Sequence, residues 1–212
     1  RRLSEVEGVS GLELNISCPN VKEGGNAFGT DPRAVASLVA AVRRATRLPL
    51  MPKLAPNVPD IKLFVRAAQE AGADALALIN TLPAMVIDIE TRRPVLANKV
   101  GGLSGPAIHP VAVKLVWEAA QVARVPLLAM GGIVGPEEAI EFLIAGASAV
   151  AVGTANFIDP TTSLRVLEGI EAYLRRHGMN AVAALTGSLC MTNPATNHAA
   201  TLDSDHSVQV EP

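Results

Sequence analysis

The residues best suited to chemistry stand just after short apolar runs. Asn15-Ile16-Ser17-Cys18-Pro19-Asn20 closes one run, Lys53 ends a second, and Asn80-Thr81 follows a third. Gly131-Gly132 and Gly153-Thr154 follow a fourth and a fifth. Paired backbone N–H groups at a glycine turn, with a helix dipole behind them, bind anions such as phosphate. The same glycines also serve tight strand-to-helix turns. Lys53 interrupts the apolar run Leu50-Met51-Pro52-Lys53-Leu54. A buried lysine needs a neighbouring anion or must surrender its charge. Three roles are open to it: a Schiff-base nucleophile, a counter-charge to an anionic cofactor, or an ion pair with a carboxylate. No acidic residue stands at the matching ends of the other runs, which counts against the ion pair. Asn15, Asn20 and Asn80 can each donate and accept, as a planar heterocycle with imide edges requires, and each is also a turn-former. A lone cysteine is most often a small buried hydrophobe. Cys18, however, has polar neighbours and precedes Gly24-Gly25-Asn26-Ala27-Phe28-Gly29. Such a loop suits a base or nucleophile that opens and closes over substrate.

These groups need elements to position them. Residues 12–16, 50–54, 75–79, 126–130 and 149–152 read as buried strands, because parallel strands covered on both faces appear as continuous apolar runs. Helical patterns lie between most of them. Asp31-Pro32 reads as an N-cap followed by proline at the first helical position, and Val35, Leu38, Val39 and Val42 keep the i, i+3, i+4, i+7 spacing. Further helices are expected over residues 61–71, 111–124, 136–145 and 162–177. Glycine follows three of these, at Gly72, Gly146 and Gly178, and His109-Pro110 leads into the helix over 111–124. An internal repeat supports the pattern. Leu48-Pro49-Leu50-Met51 is similar to Val125-Pro126-Leu127-Leu128, and Ala71-Gly72-Ala73-Asp74-Ala75 to Ala145-Gly146-Ala147-Ser148-Ala149. Stacked β/α units imply a parallel sheet. Functional groups at the end of every strand suit a barrel rim, whereas an open sheet gathers them at one switch point. Two glycine turns on the last two strands then favour phosphate, which barrel loops at that place often bind.

The expected fold is therefore α/β, a (β/α)8 TIM barrel, here incomplete, with about the last five β/α units over residues 1–189. Residues 83–105 exceed an ordinary βα-loop, and residues 86–89 and 94–96 around 90–93 predict a small hairpin insertion, of the kind that serves as a lid or interface. Residues 190–212 are rich in polar residues and predict a disordered tail, whose His198 and His206 lack metal-ligand spacing.

Composition narrows the function classes. The chain has 212 residues, 18 Lys+Arg against 20 Asp+Glu, and only 3% aromatic residues within 49% hydrophobic ones. Near-neutral charge supplies no basic field for nucleic acid or for a membrane surface. No apolar run reaches the roughly 18 to 20 residues of a membrane span. Arg1-Arg2-Leu3-Ser4-Glu5 has no apolar stretch behind its charges, so no secretory signal is read there, and the missing initiator Met reads as a cut product. Cys18 and Cys190 stand far apart and make no disulfide framework, which favours a reducing cytoplasm.

The segment Asn15-Ile16-Ser17-Cys18-Pro19-Asn20-Val21-Lys22, with Gly24-Gly25 and Phe28-Gly29-Thr30-Asp31-Pro32, resembles the signature of the dihydroorotate dehydrogenases. It looks like the catalytic subunit of their NAD-linked class, class 1B. Lys53, Ile79-Asn80-Thr81, Gly101-Gly102-Leu103-Ser104-Gly105, Met130-Gly131-Gly132-Ile133 and Val152-Gly153-Thr154 follow in order and spacing, so the resemblance covers residues 11–189. A fumarate-linked class shares the cysteine motif but usually lacks the pattern over residues 22–29.

The resemblance implies an FMN-containing barrel that oxidises (S)-dihydroorotate to orotate in de novo pyrimidine (UMP) biosynthesis. Carried over, Cys18 is the general base for the C5 proton, and a hydride passes from C6 to flavin N5. Lys53 stabilises the charge of reduced FMN. Asn15 touches flavin and substrate, while Asn20, Asn80 and Thr81 bind substrate. Ile79 and Gly105 line the flavin, and Gly131, Gly132, Gly153 and Thr154 hold its phosphate. The class also implies a homodimer joined to an electron-transfer subunit carrying FAD and an iron-sulfur cluster, a heterotetramer. With two cysteines and no Rossmann fingerprint, this chain would reach NAD through that partner. No metal site is expected in the chain itself. About three N-terminal β/α units of the family's barrel are missing, with another flavin-contacting lysine and a substrate loop. The chain alone is therefore expected to bind FMN poorly and to be nearly inactive. Other readings are a different FMN oxidoreductase such as a dihydropyrimidine dehydrogenase, a Schiff-base aldolase or isomerase built on Lys53, and an inactive fragment.

Overall fold

Local sequence signals set most of the element boundaries. The computed structural model describes residues 2–16 and 29–191. In chain order these form β1 (Leu12–Asn15), α1 (Pro32–Ala45), β2 (Leu50–Lys53), α2 (Ile61–Glu70), β3 (Leu76–Leu78), β4 (Leu82–Ala84), β5 (Ile87–Asp88), β6 (Arg93–Pro94) and β7 (Gly101–Leu103). Then follow α3 (His109–Ala120), β8 (Leu127–Met130), α4 (Pro136–Ala145), β9 (Ala149–Ala151), α5 (Ala155–Ile158) and α6 (Thr162–Arg176). The carboxylate of Asp31 caps α1 by accepting from the Arg33 N–H at 2.9 Å, and Asp60 caps α2 by accepting from the Lys62 N–H at 2.9 Å. On α2, Ile61, Phe64, Val65 and Ala68 are buried, the spacing of one helical face. Helix α3 starts and ends earlier than residues 111–124. Proline is tolerated in a first helical turn, so the helix starts ahead of Pro110. It ends at Ala120 in a turn where the Val122 and Ala123 N–H groups both donate to the Ala119 carbonyl, at 3.1 and 2.9 Å.

The main sheet is parallel, with the spatial order β1-β2-β3-β8-β9. Spatial order follows chain order throughout, so the sheet has no switch point of the doubly wound kind. Successive helices pack on one another, α1 on α2, α2 on α3, α3 on α4 and α4 on α6, and form one outer layer. This is the arrangement of five adjacent β/α units of a (β/α)8 barrel. The core lies between that layer and the sheet, where Phe64, Phe142, Leu50, Leu76 and Leu78 are fully buried.

The other sheet face is more open. Leu50 and Pro52 are buried while Met51 and Lys53 are half-buried, and Glu13 and Asn15 on β1 are exposed. The strands over residues 12–16 and 50–54 are thus covered on one face rather than two. The register Glu13↔Met51 and Asn15↔Lys53 places these four side chains together on the inner face.

The insertion consists of two antiparallel ribbons in series, β4 with β7 and β5 with β6. The hairpin expected from residues 86–96 is the outer one. Its turn is closed by the Asp88 carboxylate, which accepts from the N–H groups of Glu90 at 2.9 Å and Thr91 at 3.2 Å. The inner ribbon escapes a sequence reading because Pro83, Gly101 and Gly102 are poor strand formers. Most of the expected tail lies outside the described residues; Cys190 and Met191 are exposed.

Candidate active site

Parallel strands all run one way, so their C-terminal ends and the loops that follow collect on one rim. A cavity of about 270 Å³ opens there. Lys53 reaches it from the end of β2, and Ile79, Asn80 and Thr81 from the loop after β3. Gly105 lines it beyond the insertion, Gly131 and Gly132 after β8, and Gly153 and Thr154 after β9. Asn15 joins the group through a hydrogen bond, since Asn80 Nδ2 donates to Asn15 Oδ1 at 3.0 Å. The Thr81 N–H donates to Asn80 Oδ1 at 2.8 Å. The Asn80 amide is therefore held at both ends, which orients it toward one side of the cavity. Cys18 and Asn20 lie outside the described residues.

Lys53 has the carboxylate partner that its position in the sequence argued against. Its Nζ lies 2.6 Å from Glu13 Oε1. The acid is not at a rim position; it sits on the neighbouring strand, two residues before Asn15, and parallel register brings it to the same face. Alternation along Leu12-Glu13-Leu14-Asn15 was the signal available for it.

The two glycine turns differ in kind. Gly131 and Gly132 have φ of 133° and 74°. A Cβ on Gly132 would stand 2.7 Å from His109 Cβ and 2.8 Å from the Gly105 carbonyl oxygen, so only glycine fits. A Cβ on Gly153 would meet no atom within 4 Å, so packing does not explain that glycine. Its smallness leaves room for a ligand to approach the backbone. Ser104, within the glycine-rich Gly101–Gly105 motif, also lines the cavity, with its Oγ 3.5 Å from Thr154 Oγ1. Ile108, Met130 and Ile158 add apolar wall. A cation, fixed amides, apolar wall and a roomy glycine turn fit a flat, polar-edged ring that carries a phosphate.

Among the described residues, no group of three His, Cys, Asp or Glu could hold a metal ion, and no helix is long and apolar enough to cross a membrane.

The sequence profile of the family described as dihydroorotate dehydrogenase matches residues 2–174. A Pelobacter propionicus protein, "Dihydroorotate dehydrogenase B (NAD(+)), catalytic subunit", is 55% identical over 188 residues, covering 89% of this chain and 62% of that protein. A protein of the same description from Desulforudis audaxviator is 54% identical over 187 residues, covering 88% of this chain and 61% of its own. The chain thus spans about three fifths of the length of these relatives, at 62% and 61%. A crystal structure of DHODH from Eimeria tenella in complex with ferulenol superposes with a TM-score of 0.71 at 25% identity, covering 84% of this chain and 54% of that one. Rim geometry, matched profile and shared architecture agree: the chain belongs to the dihydroorotate dehydrogenase family.

Proposed function

We propose that this chain contributes the catalytic site for FMN-dependent oxidation of (S)-dihydroorotate to orotate, a step of pyrimidine biosynthesis. The observation that carries the reading is the single cavity shared by Lys53, Asn80 and Thr81 with both glycine turns, at the rim of a sheet of this family. Gly131, Gly132, Gly153 and Thr154 would hold the FMN phosphate, and Lys53, Ile79, Gly105 and Asn15 its ring. When bound, FMN supplies an electron-accepting ring for the hydride that leaves C6 of the substrate.

The chain's own residues do the rest. Asn80, Thr81, Asn15 and Asn20 bind the pyrimidine by its imide edges, with Asn80 already fixed by its bonds to Asn15 and Thr81. Cys18 accepts the C5 proton at its sulfur. A thiol with an ordinary pKa of about 8.5 serves as a base near neutrality where its surroundings favour the thiolate. Lys53 places a positive charge on the inner face where electron density arrives. The Glu13 carboxylate at 2.6 Å is a partner for an ammonium, not for the uncharged amine a Schiff base requires, which disfavours an aldolase reading.

Electrons leave for NAD through a partner subunit bearing FAD and an iron-sulfur cluster, in a heterotetramer built on a homodimer. The relatives' description as catalytic subunits supports a partner, and two cysteines are too few to ligate such a cluster in this chain. The two widely separated cysteines, with no disulfide framework, fit action in a reducing cytoplasm. The test is Cys18→Ala in the full-length protein. Anaerobic bleaching of the flavin by dihydroorotate should slow by about 10² to 10⁴, the usual worth of a general base, with FMN content unchanged. Undiminished bleaching would reject the base assignment.

A further inference from the structure

His109 opens α3 directly behind the glycine turn and is buried, only 7% exposed. Its Nδ1 lies 3.0 Å from the Gly131 carbonyl oxygen, and its Nε2 lies 2.7 Å from Glu141 Oε2 on α4. A carbonyl oxygen can only accept, so Nδ1 carries a hydrogen and donates to the Gly131 oxygen, while Nε2 faces the Glu141 carboxylate. The Phe142 ring meets it edge-on, with centroids 4.8 Å apart at 83°, and fixes its plane.

A trans peptide is rigid, and its C=O and N–H point in opposite directions. With the Gly131 oxygen drawn to His109, the Gly132 N–H is turned away from that ring. His109 is not part of the cavity wall, whereas Gly131 and Gly132 are. Both glycines have positive φ, 133° and 74°, and glycine backbone alone resists rotation of that peptide weakly. A rotated peptide would present a carbonyl oxygen to the cavity and repel an anion there.

We propose that His109, braced by Glu141, locks the Gly131–Gly132 peptide with its oxygen withdrawn from the cavity, and so acts as a positioning residue for the phosphate of FMN. The inference rests on the reading that the glycine turns hold that phosphate. Glu141 keeps the ring aimed.

The test compares dissociation constants for FMN and for riboflavin, which lacks the phosphate, in the full-length protein. His109→Phe keeps an aromatic ring against Phe142 but donates nothing. It should weaken FMN about tenfold relative to riboflavin, the scale of one lost hydrogen bond. His109→Asn, which keeps a donor toward the Gly131 oxygen, should recover most of that loss. Glu141→Gln should weaken FMN relative to riboflavin by a smaller factor. An unchanged FMN-to-riboflavin ratio in His109→Phe, or an Asn variant no better than Phe, overturns the lock. Should His109→Phe fail to fold by circular dichroism, Glu141→Gln decides, because that carboxylate is 60% exposed and its loss leaves the core intact. An unchanged ratio there overturns the proposal. An unaltered protein that binds riboflavin as tightly as FMN overturns the phosphate reading and the lock with it; one that prefers FMN while the variants keep its ratio overturns the lock alone.

Discussion

Gly132 and Gly153 stand at equivalent turns, yet they should respond to the same substitution in opposite ways. A methyl at Gly132 must displace His109 and the Gly105 carbonyl, and must also adopt φ of 74°. Gly132→Ala should therefore cost about 2 kcal/mol or more in thermal or denaturant unfolding. Gly153→Ala meets open space, so stability should hold within about 0.5 kcal/mol. Its methyl would occupy ligand space instead, and FMN titration should show clearly weaker binding. Equal stability losses at both sites would remove the case for a phosphate at Gly153. Lys53 is tested through a potential rather than a rate. Lys53→Met keeps the apolar stem and removes the cation, so the bound flavin should become harder to reduce, with a more negative midpoint in a dye-equilibrated titration. An unmoved midpoint would confine Lys53 to its ion pair with Glu13.

At the scale of elements, short polar caps decide where helices begin. Asp60→Ala removes the cap of α2 and should cost about 1 kcal/mol. Asp159 orders the turn that leads into α6. Its carboxylate accepts from Thr161 Oγ1 at 2.6 Å and the Thr161 N–H at 2.9 Å, and these bonds, the hydroxyl foremost, hold its carboxyl below the usual aspartate range. A carboxyl depressed in the folded state stabilises above its unfolded pKa, about 3.9, and loses that contribution as pH falls through the folded value. Asp159→Asn should therefore melt at a lower temperature than the unaltered protein at pH 7, and the gap should close in acid. A gap of the same size well below the folded value would show that another contact is responsible. The insertion belongs to this scale too. Its outer turn was legible because Asp88 and the flanking apolar residues signal a hairpin, while the inner ribbon was not, because glycine and proline there are held by pairing with each other rather than by propensity.

For the whole molecule, the sheet has two ends. Among the described residues β1 pairs only with β2, and β9 only with β8. Beside the cavity, Phe157 and Ile158 are 92% and 82% exposed. A closed barrel of eight units would pair those edges and cover that face. The 212-residue chain purified by itself is therefore expected to retain well under one FMN per chain after gel filtration, against a full complement for one of its longer relatives. Full retention by the shorter chain would show that five units suffice to grip the cofactor. The sequence alone determined the β/α alternation, the parallel sheet and the order in which Asn15, Lys53, Asn80, Gly131 and Gly153 meet the rim, because each junction is written in neighbouring residues as a cap, a glycine or an apolar run. Only the tertiary structure decided the partners across elements. Glu13 reaches Lys53 from 40 positions away and Glu141 reaches His109 from 32. Periodicity assigns a side chain to a face, but which charge stands opposite depends on strand register and on how one helix packs against the next.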